Sequence, residues 1–228
     1  MTRKIVVLLL LLISSISSFA CDICGSGVGG GYMGLLPGFH KRFISLRYSQ
    51  NGLVSHLGPG GSSTYLTSRE TFRVAELWGA VNIGTRFRIA GFVPVNFMDR
   101  ENGTGHYRQS GIGDISLVGY YQLFSNQHTA GARLLAQSLW IGAGIKAPAG
   151  KYNPEEKSIS ESTQNTFQLG TGSVDFSAHL MYDLRLQDAG LNINGSWKLN
   201  TRNKFDYRYG NKITVNALAY YKLKLSDK

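Results

Sequence analysis

Two cysteines near the N-terminus have the spacing of a chemical site. Cys21 and Cys24 form a C-x-x-C pair that is followed by Gly25. In an oxidising compartment such a pair can form a disulfide, and Cys21 is also a candidate for lipidation. A metal ion would need more ligands than two thiolates, and His40 is the nearest further candidate. Covalent haem is not expected, because Gly25 stands where the C-x-x-C-H motif has histidine.

Serine, histidine and aspartate, the residues of a hydrolytic triad, occur close together in two places. His106 and Ser110 precede Asp114, and His179 follows Asp175. A triad is defined by geometry and not by sequence spacing, and the chain has no G-x-S-x-G nucleophile elbow. We therefore do not expect an enzyme, and a lipid-modifying barrel enzyme is the weakest alternative.

The elements that carry these residues have the pattern of β-strands. Within Val174–Leu225, apolar and polar residues alternate almost without interruption, which is the signature of strands with two different faces. Similar segments begin near Phe39, and no convincing amphipathic helix separates them. The sequence predicts an all-β, antiparallel up-and-down transmembrane barrel of about eight strands, either complete or a truncated part of a larger barrel. The strands are expected near 41–50, 71–83, 85–97, 112–124, 130–146, 173–185, 190–200 and 212–225.

The predicted connections alternate between long and short. Segments 51–70, 98–110, 147–172 and 201–211 are long and polar, whereas those near Gly84, 125–128 and 186–189 are short. Transmembrane barrels have long external loops and short periplasmic turns. This sorting favours a membrane barrel whose apolar face meets lipid. Alternation by itself does not say which face is inside, so a soluble lipocalin-like carrier with an apolar interior is the alternative fold.

If the barrel spans a membrane, the polar side of each strand faces the lumen. We expect mixed charges there, which pair with one another or line a path for a polar solute. Pro94 lies within the third strand, where a bulge or an early end is expected. The predicted lumen-facing polar residues are Arg47, Glu76, Arg86, Arg88, Asp114, Asp175, His179, Asp183, Lys198 and Lys222.

The N-terminus has the organisation of an export signal. Arg3 and Lys4 precede an apolar stretch, and small residues before Cys21 predict cleavage after Ala20. We predict a signal peptide at 1–20, a Cys/Gly-rich periplasmic segment at 21–38 and a barrel domain at 39–228. The segment Gly25–Gly30 matches G-x-G-x-x-G, but it neither follows a buried strand nor opens a helix. It therefore predicts no dinucleotide, and no cofactor is expected.

The positive charge of the chain does not indicate nucleic-acid binding. The formal net charge is +10, and the basic residues are scattered over many segments, whereas a binding patch would be clustered. The expected partners are outer-membrane lipid, the barrel assembly machinery and a small-molecule solute.

Three glycine-rich segments resemble the meta-pathway phenol-degradation family of outer-membrane barrels, which is related to fatty-acid-transporter-like channels. They lie at 111–116, 140–151 and 168–176, and they include Asp114, Lys146 and Asp175. The opening Cys21–Gly25 is similar to that of a subset of outer-membrane proteins with a cysteine-bearing mature N-terminus. The resemblance implies a barrel in the outer membrane and uptake of small hydrophobic molecules, and it implies no catalytic residues.

These observations lead to one main functional hypothesis and one strong alternative. The first is an outer-membrane transporter or channel for a small solute. The second is a structural or adhesive barrel that acts through its long loops, which are rich in Gly, Ser, Asn and Thr.

Overall fold

The computed structural model describes residues 42–103, 105–130, 133–154 and 167–221. The predicted signal peptide, the Cys/Gly-rich segment with Cys21 and Cys24, His40 and Lys222 lie outside these residues. Within the described part of the chain, nine antiparallel strands form one sheet. A short 3-10 turn covers Pro59–Gly61. The strands are β1 Phe43–Ser55, β2 Ser68–Ile83, β3 Phe87–Asn102, β4 Gly105–Ile112, β5 Ile115–Ala130, β6 Arg133–Ala147, β7 Asp175–Leu186, β8 Ala189–Leu199 and β9 Lys212–Tyr221.

Strands that follow one another in the chain are neighbours in the sheet. The order is β1-β2-β3-β5-β6-β7-β8-β9, and β4 pairs with the C-terminal half of β3. The sheet is curled into a half-barrel, which confirms the expected all-β, antiparallel barrel architecture. None of the helical segments in the described ranges is long and apolar enough to cross a membrane.

The segment 98–110, which the sequence predicted to be a loop, is a strand hairpin. β3 continues to Asn102, and β4 returns from Gly105 with Arg100 opposite Tyr107. Polar residues lie on both faces of this hairpin. On one face Asp99 pairs with Arg73 and Arg108, and on the other face Arg100 pairs with Glu70. The alternation of apolar and polar residues is therefore lost here, although the strand is present.

Pro94 does not interrupt its own strand. β3 runs through Pro94, which is opposite Glu76 of β2. The break falls on the neighbouring side, where β4 ends, β5 begins, and Gly113 N donates to Pro94 O at 2.8 Å. This break leaves Asp114 outside the regular ladder, and its carboxylate points towards β6.

The two faces of the sheet differ in polarity. The convex face exposes large apolar side chains from β1 to β9, such as Ile44 at 82%, Leu180 at 52% and Ile213 at 74% exposure. Register partners share a face, and the polar residues Arg47, Glu76 and Asp175 belong to the opposite, concave face. The polar face is therefore inside, and the alternative of a lipocalin-like carrier with an apolar interior is wrong.

Apolar residues also fill part of the concave side, towards its two ends. Near the short β2–β3 turn, Trp78 stacks on Phe92 at 5.8 Å between ring centroids and meets Phe43 edge-on. Near the long connections, Met98 packs with Phe167 and Leu169. The space between these two clusters is lined by polar groups, and it holds the candidate site.

A candidate solute-binding groove

A groove runs along the concave face between the two apolar clusters. Its empty volume, which includes open solvent, is about 1210 Å³. Side chains from both edge strands reach it, with Arg47 on β1 and Lys212, Thr214 and Asn216 on β9. The curl of the sheet therefore brings the first and last described strands to one shared space.

Asp114 is the centre of a buried hydrogen-bond network at the long-loop end of the groove. Lys146 Nζ lies 2.5 Å from Asp114 Oδ2. The same oxygen accepts hydrogen bonds from Thr171 N and Thr171 Oγ1, both at 2.9 Å, and Oδ1 accepts one from Gly150 N at 3.1 Å. Asp114 therefore fixes β6 and both ends of the β6–β7 connection to the break before β5.

Asp175 is a second acceptor on the same face. Lys146 Nζ lies 2.6 Å from its Oδ2, and Lys198 Nζ lies 3.7 Å from it. Oδ1 accepts hydrogen bonds from Ser173 Oγ at 2.8 Å and from Thr201 N at 3.0 Å. Lys146 thus bridges two carboxylates, each of which has further donors.

Two glycines of the glycine-rich segments are required by close packing of this network. Gly150 and Gly170 face one another, and Gly170 N donates to Lys151 O at 3.3 Å. A Cβ atom on Gly170 would overlap Asp114 Oδ1 and lie 2.8 Å from Gly150 Cα. Gly150 and Gly170 therefore allow two loop segments to approach a carboxylate.

Aromatic residues cover the network on the long-loop side. Tyr152 contacts Phe205 and Tyr209, and Tyr207 meets Tyr209 edge-on at 4.9 Å between centroids. Burial raises the pKa of Tyr209 above its ordinary value, and the neighbouring Tyr152 raises it further. The described parts of the β6–β7 and β8–β9 connections thus fold inward over the groove, whereas Tyr65 in the β1–β2 connection is 84% exposed.

Two further ion pairs line the β1–β3 side. Arg47 pairs with Glu76 across β1 and β2. Arg100 Nε donates to Glu70 Oε1 at 2.9 Å, and each of these two side chains is 2% exposed. The Arg100 guanidinium also lies 4.5 Å from the ring centroid of Phe167, so the pair supports the loop segment that closes this end.

The other predicted lumen residues lie nearer the short turns. Arg88 contacts Asn82 Oδ1 at 2.6 Å and lies over the Trp140 ring, and Asn192 Nδ2 donates to Asp183 Oδ1 at 3.5 Å. Arg86 differs from the prediction, because β3 begins at Phe87 and leaves Arg86 exposed in the 84–86 turn. For the others, a role in lining an open lumen stays a prediction.

The two candidate triads have different outcomes. His106 and Ser110 lie on the convex face of β4, whereas Asp114 points to the concave side, so the first set does not assemble. On β7, His179 Nε2 lies 2.9 Å from Ser177 Oγ. Within the described residues His179 Nδ1 has no hydrogen-bond partner, and the Asp175 carboxylate is engaged by lysines and Ser173.

Several residues of the site were not identified from the sequence. Lys146 ends an apolar run whose parity places it inward, so the alternation carried a signal for it. Lys212 begins the predicted strand 212–225 on its polar side, so the alternation carried a signal for it too. Thr171 had none, because loop packing positions it. Glu70 and Arg100 lay outside the predicted strands, so no face was assigned to them.

A family model described as "Putative MetA-pathway of phenol degradation" matches residues 59–227. The chain belongs to this family. The match includes the three glycine-rich motifs and therefore both carboxylates of the network. No curated protein matches the chain. The half-barrel with its polar concave face and membership of the phenol-degradation family together fit an outer-membrane barrel.

Proposed function

We propose that this member of the phenol-degradation family is a non-enzymatic outer-membrane barrel that binds and passes a small solute through its concave groove. Outer-membrane lipid contacts the convex face. The barrel assembly machinery inserts the chain after export by the predicted signal peptide.

One observation carries this proposal: the apolar and polar faces are arranged as a membrane barrel requires. Large apolar side chains are exposed on the convex face of every strand from β1 to β9, and in β4 this residue is Ile112 at its end. An apolar surface of this extent is unusual for a soluble monomer. Polar groups line the groove, where water and a solute would be accommodated.

The groove is favoured over adhesion as the working surface because the described parts of the β6–β7 and β8–β9 connections turn inward. Phe167, Tyr152 and Tyr209 are almost fully buried, at 1%, 8% and 2% exposure. An adhesive loop would present such aromatic side chains to solvent, where a partner could reach them. Here they pack against the mouth of the groove instead.

Two measurements test the proposal. Membrane fractionation, with boiled and unboiled samples compared on a gel, should place the protein in the outer membrane as a heat-modifiable band. Purified protein should then produce channel events in planar bilayers or allow solute-driven swelling of liposomes. A protein recovered in the soluble periplasmic fraction, with no mobility shift on boiling, would refute the membrane assignment. Insertion without conductance or swelling would refute the solute path.

A further inference from the structure

Within the described parts of the chain, the lysines at the long-loop end of the groove outnumber the carboxylates available to them. Lys146 bridges Asp114 and Asp175, and Lys198 reaches Asp175 at 3.7 Å. Lys212 is the register partner of Lys198 on the neighbouring strand, and both side chains line the groove. Two cations thus stand directly opposite one another on one face of the sheet, an arrangement that repulsion disfavours.

Lys212 has no ion pair with any residue that the structure describes. The other carboxylates of this half of the groove have partners of their own, because Glu76 pairs with Arg47 and Glu70 with Arg100. Asp114 and Asp175 are both paired with Lys146, and they accept further hydrogen bonds from backbone and hydroxyl groups. Among the residues that the structure describes, the concave face therefore keeps an uncompensated positive charge at Lys212.

The groups around Lys212 are suited to an anion. Thr214 and Ser196, which are register partners on β9 and β8, add hydroxyl groups to the lining, and Asn216 adds a side-chain amide. Ammonium, hydroxyl and amide groups all donate hydrogen bonds. A small anion at this position would relieve the repulsion between Lys198 and Lys212 and accept these donors.

We propose that the Lys198–Lys212 end of the groove is a binding site for a small anion, such as a monocarboxylate or a halide. The site gives the groove a preference for anions over cations. This inference rests on the proposed solute path, and it specifies the charge of the solute. A ring of basic side chains is a known means of anion selection in pores.

A binding measurement tests the site without requiring conductance. In a non-ionic detergent, fluoroacetate and the neutral fluoroacetamide serve as matched probes whose ¹⁹F line widths report weak binding. The full-length protein should broaden the fluoroacetate signal more than the fluoroacetamide signal. Lys212→Gln should reduce that excess at least about threefold, since one of two adjacent cations is lost. Lys204→Gln removes the same charge from an exposed position in the 200–211 connection and should leave the excess unchanged.

Equal broadening of the two probes, or an excess that Lys212→Gln does not reduce, would overturn the anion site. Reversal potentials in a KCl gradient then test selectivity. The wild-type protein should favour chloride over potassium, and Lys212→Glu should lower the permeability ratio about twofold or more. A conducting protein that favours potassium would overturn the selectivity. A protein that does not conduct but binds fluoroacetate through Lys212 would refute the pore and retain the anion site.

Discussion

Asp114 is the single acceptor on which three segments of the chain depend. Its carboxylate receives Lys146, the backbone and hydroxyl of Thr171, and the backbone of Gly150. An asparagine would present an NH₂ group to at least one of these donors and would leave Lys146 with less compensating charge. Asp114→Asn should therefore lower the free energy of unfolding by about 3 kcal/mol, near the lower end for breaking a buried pair.

The measurement is a urea titration of the protein folded in detergent micelles or lipid vesicles. Asp206→Asn is the matched control, because Asp206 pairs with Arg202 while its side chain is 81% exposed. That change should cost less than about 1 kcal/mol, as exposed ion pairs do. Equal stabilities of the two variants would show that the three segments do not depend on the Asp114 carboxylate.

Gly170 occupies a position where even one methyl group is excluded. A Cβ there would overlap Asp114 Oδ1 and press on Gly150, at 2.8 Å from both its Cα and its carbonyl oxygen. Gly170→Ala should destabilise the protein by about 1–3 kcal/mol, since backbone and a bonded carboxylate must move. In Gly119→Ala the new Cβ would meet its nearest neighbour at 4.0 Å, so no loss is expected. Chemical unfolding of the two variants side by side measures the difference, and a stable Gly170→Ala would contradict the close packing.

At the scale of the strands, the buried pair Arg100–Glu70 joins β3 to β2 and supports Phe167 of the long connection. Arg100→Met should be strongly destabilising, by about 3–5 kcal/mol, because it leaves the Glu70 carboxylate buried without its cation. The double variant Arg100→Met with Glu70→Leu removes both charges. It should recover most of that loss, and a double-mutant cycle by urea unfolding gives the coupling. A double variant as unstable as the single one would show that packing, and not charge pairing, sets the cost.

The strands themselves could largely be predicted from the sequence, because burial on one face imposes an alternation that can be read directly. Val174–Leu225 yielded β7, β8 and β9 in this way. β4 was missed because its polar residues lie on both faces, with Arg108 and Tyr107 pointing in opposite directions.

The site was predicted in part. Asp114, Asp175 and Lys198 follow from strand parity, whereas Thr171 and Gly150 reach the network through loop packing that no periodic pattern records.

At the scale of the whole molecule, the direction in which the sheet curls determines which face is inside. The alternation of apolar and polar residues leaves that question open. The same pattern of residues suits an apolar or a polar interior, and only the direction of curvature distinguishes them. Here β1 and β9 both line the groove, with Arg47 and Lys212 among its polar groups. A sheet that spans lipid must also pair the backbone N–H and C=O groups at the edges of its first and last strands. The curl brings these two edges towards the same space.

The nature of the medium around the convex face can be tested with two leucines of similar exposure. Leu180 lies on the convex face of β7 at 52% exposure, and Leu57 lies in the β1–β2 connection at 49%. If lipid covers the convex face, Leu180→Arg should lower the free energy of unfolding in vesicles by about 2–4 kcal/mol, whereas a residue outside the bilayer tolerates the change. Leu57→Arg should therefore shift it by less than about 0.5 kcal/mol. Urea titrations in phospholipid vesicles give both values. Two equally small effects would mean that water, and not lipid, surrounds the convex face, and the membrane assignment would then be wrong.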